Sequence, residues 1–76
     1  MKRVGDVVRT AQGLAVVRVP EGTEPARVGS EVVDESLSTV GRVVDVFGPV
    51  EHPYVAVSPA DRSQLTGLLG AKLYAR

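Results

Sequence analysis

The chain is 76 residues long and carries 9 basic and 9 acidic side chains, so its formal net charge is zero. It has no cysteine and a single histidine, which excludes a disulfide framework and gives no His-x-x-x-His spacing for a metal ion. These features predict one domain over residues 1–76 without a cofactor, and its 16 valines favour strands around a compact apolar core.

Glycine and proline residues divide the first part of the chain into short β-like segments. The first two strands are predicted over residues 2–9 and 14–19, with a turn at Gly13 between them. A loop rich in Pro and Gly follows over residues 20–29, and a short third strand is predicted over residues 30–34. The first half of the chain is thus predicted to contain strands and loops only.

The longest predicted strand covers residues 38–47, and Gly41 interrupts its β pattern. A glycine inside a strand often marks a bulge or a barrel corner, and we adopt that structural interpretation. A strict period of two would place the even-numbered positions from Val40 to Val46 on one face of this strand. The odd-numbered positions from Val43 to Phe47 would then lie on the other face.

The last part of the chain changes character after a fifth predicted strand over residues 54–58. A short helical turn is predicted near residues 61–69, with Ser58 or Asp61 as its cap. Residues 71–75 can form a sixth strand. Closely spaced strands without a long helix predict an all-β fold, and at this length a small closed six-stranded barrel, because closure removes exposed edges.

One loop concentrates the rigid and aromatic residues of the chain. Residues 45–54 hold the only Phe, the only His, two of the five prolines and one of the two tyrosines. Loops of this kind on a small scaffold usually carry recognition. The two rings sit at strand ends and could instead close the end of the barrel, whereas the prolines and Val50 favour contact with a partner. The candidate partner-binding residues are Phe47, Gly48, Pro49, Val50, Pro53 and Tyr54.

The charges are unevenly distributed along the chain. Residues 1–20 carry a net charge of +3, residues 21–51 a net charge of −5, and residues 52–76 a net charge of +2. Tight binding to nucleic acid requires many cations that neutralise phosphates. A neutral chain with an acidic middle therefore favours a protein partner over direct, tight binding to RNA or DNA.

The sequence offers little for catalysis. His52 has Asp45, Ser58 and Asp61 nearby in sequence, but a single loop histidine beside proline is typical of a solvated surface residue. Acid–base or nucleophilic chemistry needs a base, an orienting group and a pocket that excludes water. We therefore expect a protein that is not an enzyme, with no catalytic residues and no small-molecule substrate.

The sequence also shows no segment that would direct it to a membrane. No apolar run approaches the roughly 20 residues that a spanning helix needs. The first residues read as the start of a strand and contain no signal-peptide core. The expected location is therefore the cytoplasm.

Two segments together carry a family resemblance. Residues 40–50 read Val-Gly-Arg-Val-Val-Asp-Val-Phe-Gly-Pro-Val, and residues 53–57 read Pro-Tyr-Val-Ala-Val. This pattern resembles the archaeal form of the Gar-type subunit, the glycine–arginine-rich protein of the box H/ACA RNA-guided pseudouridylation complex. The sequence contains no Arg-Gly-Gly-rich segment of the kind found in eukaryotic members, which favours an archaeal-type core.

The resemblance implies both a fold and a role. The fold would be a six-stranded β-barrel similar to domain 2 of translation elongation factors. The role would be that of a non-catalytic subunit that docks on the catalytic subunit of the pseudouridine synthase and meets guide RNA only indirectly. Such a subunit would bias a mobile substrate-gripping loop of the synthase by a population shift, and so promote substrate loading and product release in rRNA pseudouridylation.

Two alternatives remain beside this interpretation. Residues 31–34 and 40–46 also resemble the small PRC-type barrel, an interaction module of photosynthetic reaction centres and ribosome maturation factors. That family usually has a Gly in the hairpin turn where this chain has residues 35–38, and it has no equivalent of residues 47–54. The second alternative is a barrel that binds RNA directly.

Overall fold

The computed structural model describes residues 2–76 and contains six strands and one 3-10 helix. The strands form a closed antiparallel barrel in the order β1-β2-β5-β4-β3-β6, which confirms the predicted all-β barrel. The elements in chain order are β1 (Lys2–Ala11), β2 (Leu14–Arg18), β3 (Glu31–Val33), β4 (Thr39–Phe47), β5 (Tyr54–Pro59), η1 (Arg62–Leu68) and β6 (Lys72–Ala75).

Valine builds the interior of the barrel. Every strand contributes at least one side chain that is wholly buried, and the residues described include no buried polar side chain. The wholly buried side chains are Val4, Val17, Val32, Val33, Val43, Val55, Val57 and Leu73. Burying a side chain of this type contributes about 1.5–3 kcal/mol, so the core itself is the main source of stability.

β4 contains two irregularities, one on each side of its middle. In the pairing with β3, the register passes from Val32 opposite Gly41 to Val33 opposite Thr39, so Val40 has no partner residue. In the pairing with β5, the register passes from Val43 to Asp45 and skips Val44. The first irregularity lies directly before Gly41 and agrees with the bulge or barrel corner that we expected there.

These irregularities make the predicted faces of β4 wrong. Val40 and Val43 both belong to the core, and Val46 packs against it. Arg42 and Val44 are exposed. Each bulge adds one residue to the strand and reverses the alternation beyond it, so inward residues recur every three positions here instead of every two.

The turn between β1 and β2 is a two-residue hairpin turn. Ala11 and Leu14 are paired across it, and the two residues between them, Gln12 and Gly13, have φ angles of 54° and 79°. Positive φ at both central positions defines the type I′ turn, whose preferred sequence is Asn-Gly. Gln12 is therefore in a conformation that suits asparagine better.

We expect Gln12→Asn to stabilise the barrel by up to about 1 kcal/mol, because asparagine tolerates the left-handed region at a lower cost. Urea unfolding followed by circular dichroism would measure the gain. Gln64→Asn, the same exchange at an exposed position of η1, is the control. Equal unfolding midpoints for the two variants would contradict the interpretation of this turn.

The 3-10 helix begins at a carboxylate cap. Asp61 Oδ1 accepts hydrogen bonds from the Ser63 amide at 3.0 Å and the Ser63 hydroxyl at 2.7 Å. These bonds, the hydroxyl first, hold the pKa of the Asp61 carboxyl below its ordinary value of 3.8. Asp61, and not Ser58, is therefore the cap. η1 ends at Leu68, which is buried in the core.

The chain returns to the barrel after the helix through main-chain bonds to β1. The Gly70 amide donates to the Val7 carbonyl at 2.9 Å, and the Val7 amide donates to the Ala71 carbonyl at 3.0 Å. Within residues 2–76, no helix is long and apolar enough to cross a membrane.

Candidate protein-docking loop

The loop over residues 48–53 connects β4 to β5 and is held at its base by the paired strands. Phe47 and Tyr54 form the last pair of the β4–β5 hairpin. The His52 amide donates to the Pro49 carbonyl at 3.1 Å, which closes a turn inside the loop. The Val19 amide donates to the Pro53 carbonyl at 3.3 Å, which ties the loop to the end of β2. The loop is thus fixed at both its centre and its exit.

Gly48 is required at the first position of the loop. Its φ of +92° lies in the region that side chains rarely adopt. A Cβ there would also lie 3.0 Å from Cδ2 of the Tyr54 ring and 3.4 Å from the His52 carbonyl oxygen. The chain turns sharply at this glycine and passes close to the tyrosine ring.

The rings of Phe47 and Tyr54 stack on each other. Their centroids are 5.7 Å apart, with an angle of 23° between the ring planes. Offset aromatic pairs of this kind contribute about 0.5–1.5 kcal/mol beyond the area that they bury. The pair therefore braces the base of the loop.

The aromatic pair lies on the outer surface of the barrel. Val46 packs against the core and its partner Val55 is wholly buried. Since successive side chains of a strand point to opposite faces, the neighbouring rings point outward. Phe47 is 36% exposed and Tyr54 is half-buried. The rings do not close the end of the barrel, so of the two alternatives only the outward position remains.

The tip of the loop presents an apolar residue to solvent. Val50 is 97% exposed, more than any other large apolar side chain in the part of the chain that the structure describes. Pro49, Glu51 and His52 beside it are also exposed, whereas Pro53 is half-buried near the base. The structure thus brings all six predicted site residues together, with Pro49 and Val50 at the tip and the other four at the base.

A polar neighbour, which no sequence pattern indicates, extends this surface. Arg18 on β2 lies directly opposite Tyr54 on β5, and it is exposed. On the other side of β2, Arg18 pairs with Asp6 of β1. Residues directly opposite each other in antiparallel strands lie on the same face. A row of aromatic and charged side chains therefore crosses four strands from Phe47 to Asp6.

The residues considered for catalysis are spread along the hairpin. His52 lies in the loop, whereas Ser58 is four residues beyond Tyr54, about 13 Å along β5 at the usual rise per residue. Asp61 lies further on and caps η1. Among residues 2–76, no three His, Cys, Asp or Glu side chains lie close enough together to hold a metal ion.

Comparison with known proteins agrees with this architecture. The Gar1 domain of Naf1, a solved structure, superposes with a TM-score of 0.76 at 19% sequence identity, and the match covers 97% of this chain and 79% of that one. This likeness shows the fold.

A sequence relative comes from an archaeon. An uncharacterized protein of Methanocaldococcus jannaschii is 33% identical over 54 residues, which are 71% of this chain. The match spans only 62% of the length of that relative.

The family comparison decides between the two resemblances. The family model described as the Gar1/Naf1 RNA binding region matches residues 1–76, whereas the Gar-type pattern quoted from the sequence covered residues 40–57. The chain therefore belongs to the Gar1/Naf1 RNA binding region family, and the Gar-type resemblance is confirmed.

Proposed function

We propose that this protein is a non-catalytic subunit that docks on the catalytic subunit of the H/ACA pseudouridine synthase through the loop over residues 48–53. The observation that carries the proposal is the nearly complete exposure of Val50 at the tip of a loop that is held on both sides. An exposed apolar side chain costs little to desolvate, and a rigid loop loses little entropy on binding. Both features favour a docking element.

The base and the tip of the loop have different roles in this proposal. Pro49 and Val50 contact the synthase, together with the exposed edge of the Phe47 ring. The other three residues shape and brace the loop. Gly48 allows the sharp turn beside the Tyr54 ring, the Pro53 carbonyl accepts the bond from Val19, and Tyr54 stacks on Phe47. Substitutions at the tip should therefore affect binding alone, whereas substitutions at the base should also affect stability.

We expect Val50→Asp to weaken synthase binding by at least about 30-fold, the equivalent of a 2 kcal/mol hot spot, while the barrel stays folded. Titration calorimetry with the purified catalytic subunit would measure the change. Leu69→Asp is the matched control, because it places the same charge on an apolar residue that is 55% exposed outside the loop. If both variants bind as tightly as the unmodified chain, the loop is not the docking site.

The consequence for the synthase is a shift in the population of its substrate-gripping loop. A subunit that binds one position of that loop better than another favours that position. If this promotes product release, addition of the chain should raise the multiple-turnover rate of the complex more than its single-turnover rate. An equal effect on both rates would instead assign the effect to the chemical step.

Direct RNA binding is the alternative that the family description supports. The zero net charge argues against tight binding by the isolated chain, because such binding depends on many phosphate contacts. A gel-shift of guide RNA with the isolated chain distinguishes the two functions. Binding without the synthase that falls steeply with salt would favour the alternative.

A further inference from the structure

β4 continues beyond the part of it that β3 covers. The β3–β4 pairs end at Glu31 opposite Arg42. The chain before β3 adds two bonds at Val43, from the Gly29 amide to the Val43 carbonyl at 2.8 Å and from the Val43 amide to the Ser30 carbonyl at 3.0 Å. It then leaves the sheet in a turn over residues 27–30, which the bond from the Ser30 amide to the Arg27 carbonyl closes at 3.1 Å. Residues 45–47 are therefore paired with β5 alone, and Val44 is the extra residue of the bulge.

The alternation of the ladder shows which main-chain groups face this open edge. Val43 directs both its amide and its carbonyl away from β5, toward residues 29–30. The bulge then places Val44 and Asp45 together opposite Ala56. In an antiparallel pair, bonded and non-bonded positions alternate, so Val46 is the next residue that directs its amide and carbonyl away from β5.

A side chain covers the amide on this edge. The Val46 amide donates to Asp45 Oδ1 at 2.8 Å, a side-chain acceptor on the preceding residue. This bond agrees with an amide that no neighbouring strand accepts. A charged side chain on an open edge is one way in which proteins prevent unwanted pairing between sheets. Here that protection depends on the exposed Asp45 carboxylate, which a cationic partner group could attract away from the Val46 amide.

The surroundings of the edge are apolar and continuous with the docking loop. Val44 and Phe47 are exposed on the outer face of this part of β4. Val28, in the turn over residues 27–30, is exposed as well. Phe47 is also the residue at which the loop over residues 48–53 begins. A segment that lies along residues 44–47 would therefore reach the loop without a gap.

We propose that the open edge of β4 accepts an extended segment of the synthase as an additional strand, with a basic residue that draws the Asp45 carboxylate away from the Val46 amide. This inference rests on the proposed docking to the synthase and names the form of the contact. In strand addition, main-chain hydrogen bonds supply affinity, and alternate side chains supply specificity. The Val46 amide and carbonyl would provide two main-chain bonds to this segment.

The test removes the N–H of Val46 and leaves every side chain unchanged. A chain of 76 residues is within reach of chemical synthesis, and an ester in place of the Asp45–Val46 amide replaces N–H by oxygen. We expect this ester to weaken synthase binding about 3- to 10-fold, the value of one net hydrogen bond. An ester at Glu24, in the exposed loop between β2 and β3, is the control and should bind like the all-amide chain.

The outcomes separate this inference from the proposed function. If Val50→Asp weakens binding and the Val46 ester does not, the loop docks but strand addition is wrong. If neither change weakens binding, both proposals are wrong. If the ester alters only self-association of the chain, the edge pairs with a second copy, and the inference is also overturned.

If the ester variant fails to fold, a measurement on the unmodified chain still tests the proposal. Hydrogen exchange followed by nuclear magnetic resonance should show slower exchange of the Val46 amide in the complex than in the free chain, at least 10-fold. Equal exchange rates would overturn strand addition.

Discussion

Replacement of Gly41 by alanine is expected to destabilise the barrel by about 3 kcal/mol or more, at the upper end of the cost of overpacking. A Cβ at this position would overlap the Ser58 carbonyl oxygen and would lie 2.9 Å from Cα of Pro59. Both atoms belong to the main chain of β5, so no side-chain rotation can relieve the contact. β5 itself would have to move away from β4.

The loss is large relative to the stability of so small a domain. At about 0.05–0.15 kcal/mol per residue, a chain of this length is stable by roughly 4–11 kcal/mol. Urea unfolding would measure the difference from the unmodified chain. Gly67→Ala is the matched control, because nothing lies within 4 Å of a Cβ there and its φ is not in the left-handed region. If the two variants unfold at the same urea concentration, the close approach of β5 does not constrain Gly41.

The Gly41 variant also tests whether the hairpin supports docking. β4 and β5 carry the loop over residues 48–53 between them, so a shift of β5 changes the positions of Phe47 and Tyr54 at its base. We therefore expect the Gly41 variant to bind the synthase less tightly even under conditions in which it is folded, whereas the control at Gly67 should leave binding unchanged.

The positions of the strands were predictable because the signals that set them are local. Valine-rich segments favour strands, and residues such as Gly13 and Pro53 mark the turns between them. Asp61 could be named as a cap for the same reason, since its side chain reaches an amide only two residues away. Local signals also sufficed to indicate closure, because six short strands without long helices leave few other arrangements.

The faces of β4 were not predictable, because a bulge depends on how two strands pair with each other. Val40 and Val44 carry no mark in the sequence that separates them from the other valines of the strand. Their positions follow from how β3 and β5 align with β4, and alignment is a property of the whole barrel. Gly41 indicated an irregularity nearby, but it did not indicate which residue would have no partner in the neighbouring strand.

The candidate site was also predictable only where its signals are local in the sequence. The loop was found from its composition, because rigid and aromatic residues are rare elsewhere in the chain. The direction of its two rings required the structure, which places Val46 and Val55 on the core side. Arg18 joined the surface only through the pairing of β2 with β5, for which the sequence gives no local signal.

The second large effect is expected at Leu73, whose replacement by alanine should cost about 2–5 kcal/mol. Leu73 is 0% exposed and is the largest of the wholly buried side chains. Its strand, β6, closes the barrel by pairing with β1 and with two residues of β3, Val32 and Val33. Truncation leaves a cavity at this short closing strand, and the small core has few other contacts that could compensate.

Leu69→Ala is the matched control for Leu73→Ala, since it removes the same atoms from a residue that is 55% exposed. The free energies of unfolding of the two variants, measured in urea, should differ by most of the expected cost of about 2–5 kcal/mol. Equal midpoints would mean that the core does not depend on β6. β6 lies across the barrel from β5, with two strands between them on either side. The folded fraction of Leu73→Ala should therefore bind the synthase as the unmodified chain does. Weaker binding by that fraction would show instead that the docking loop depends on the whole barrel and not only on its own hairpin.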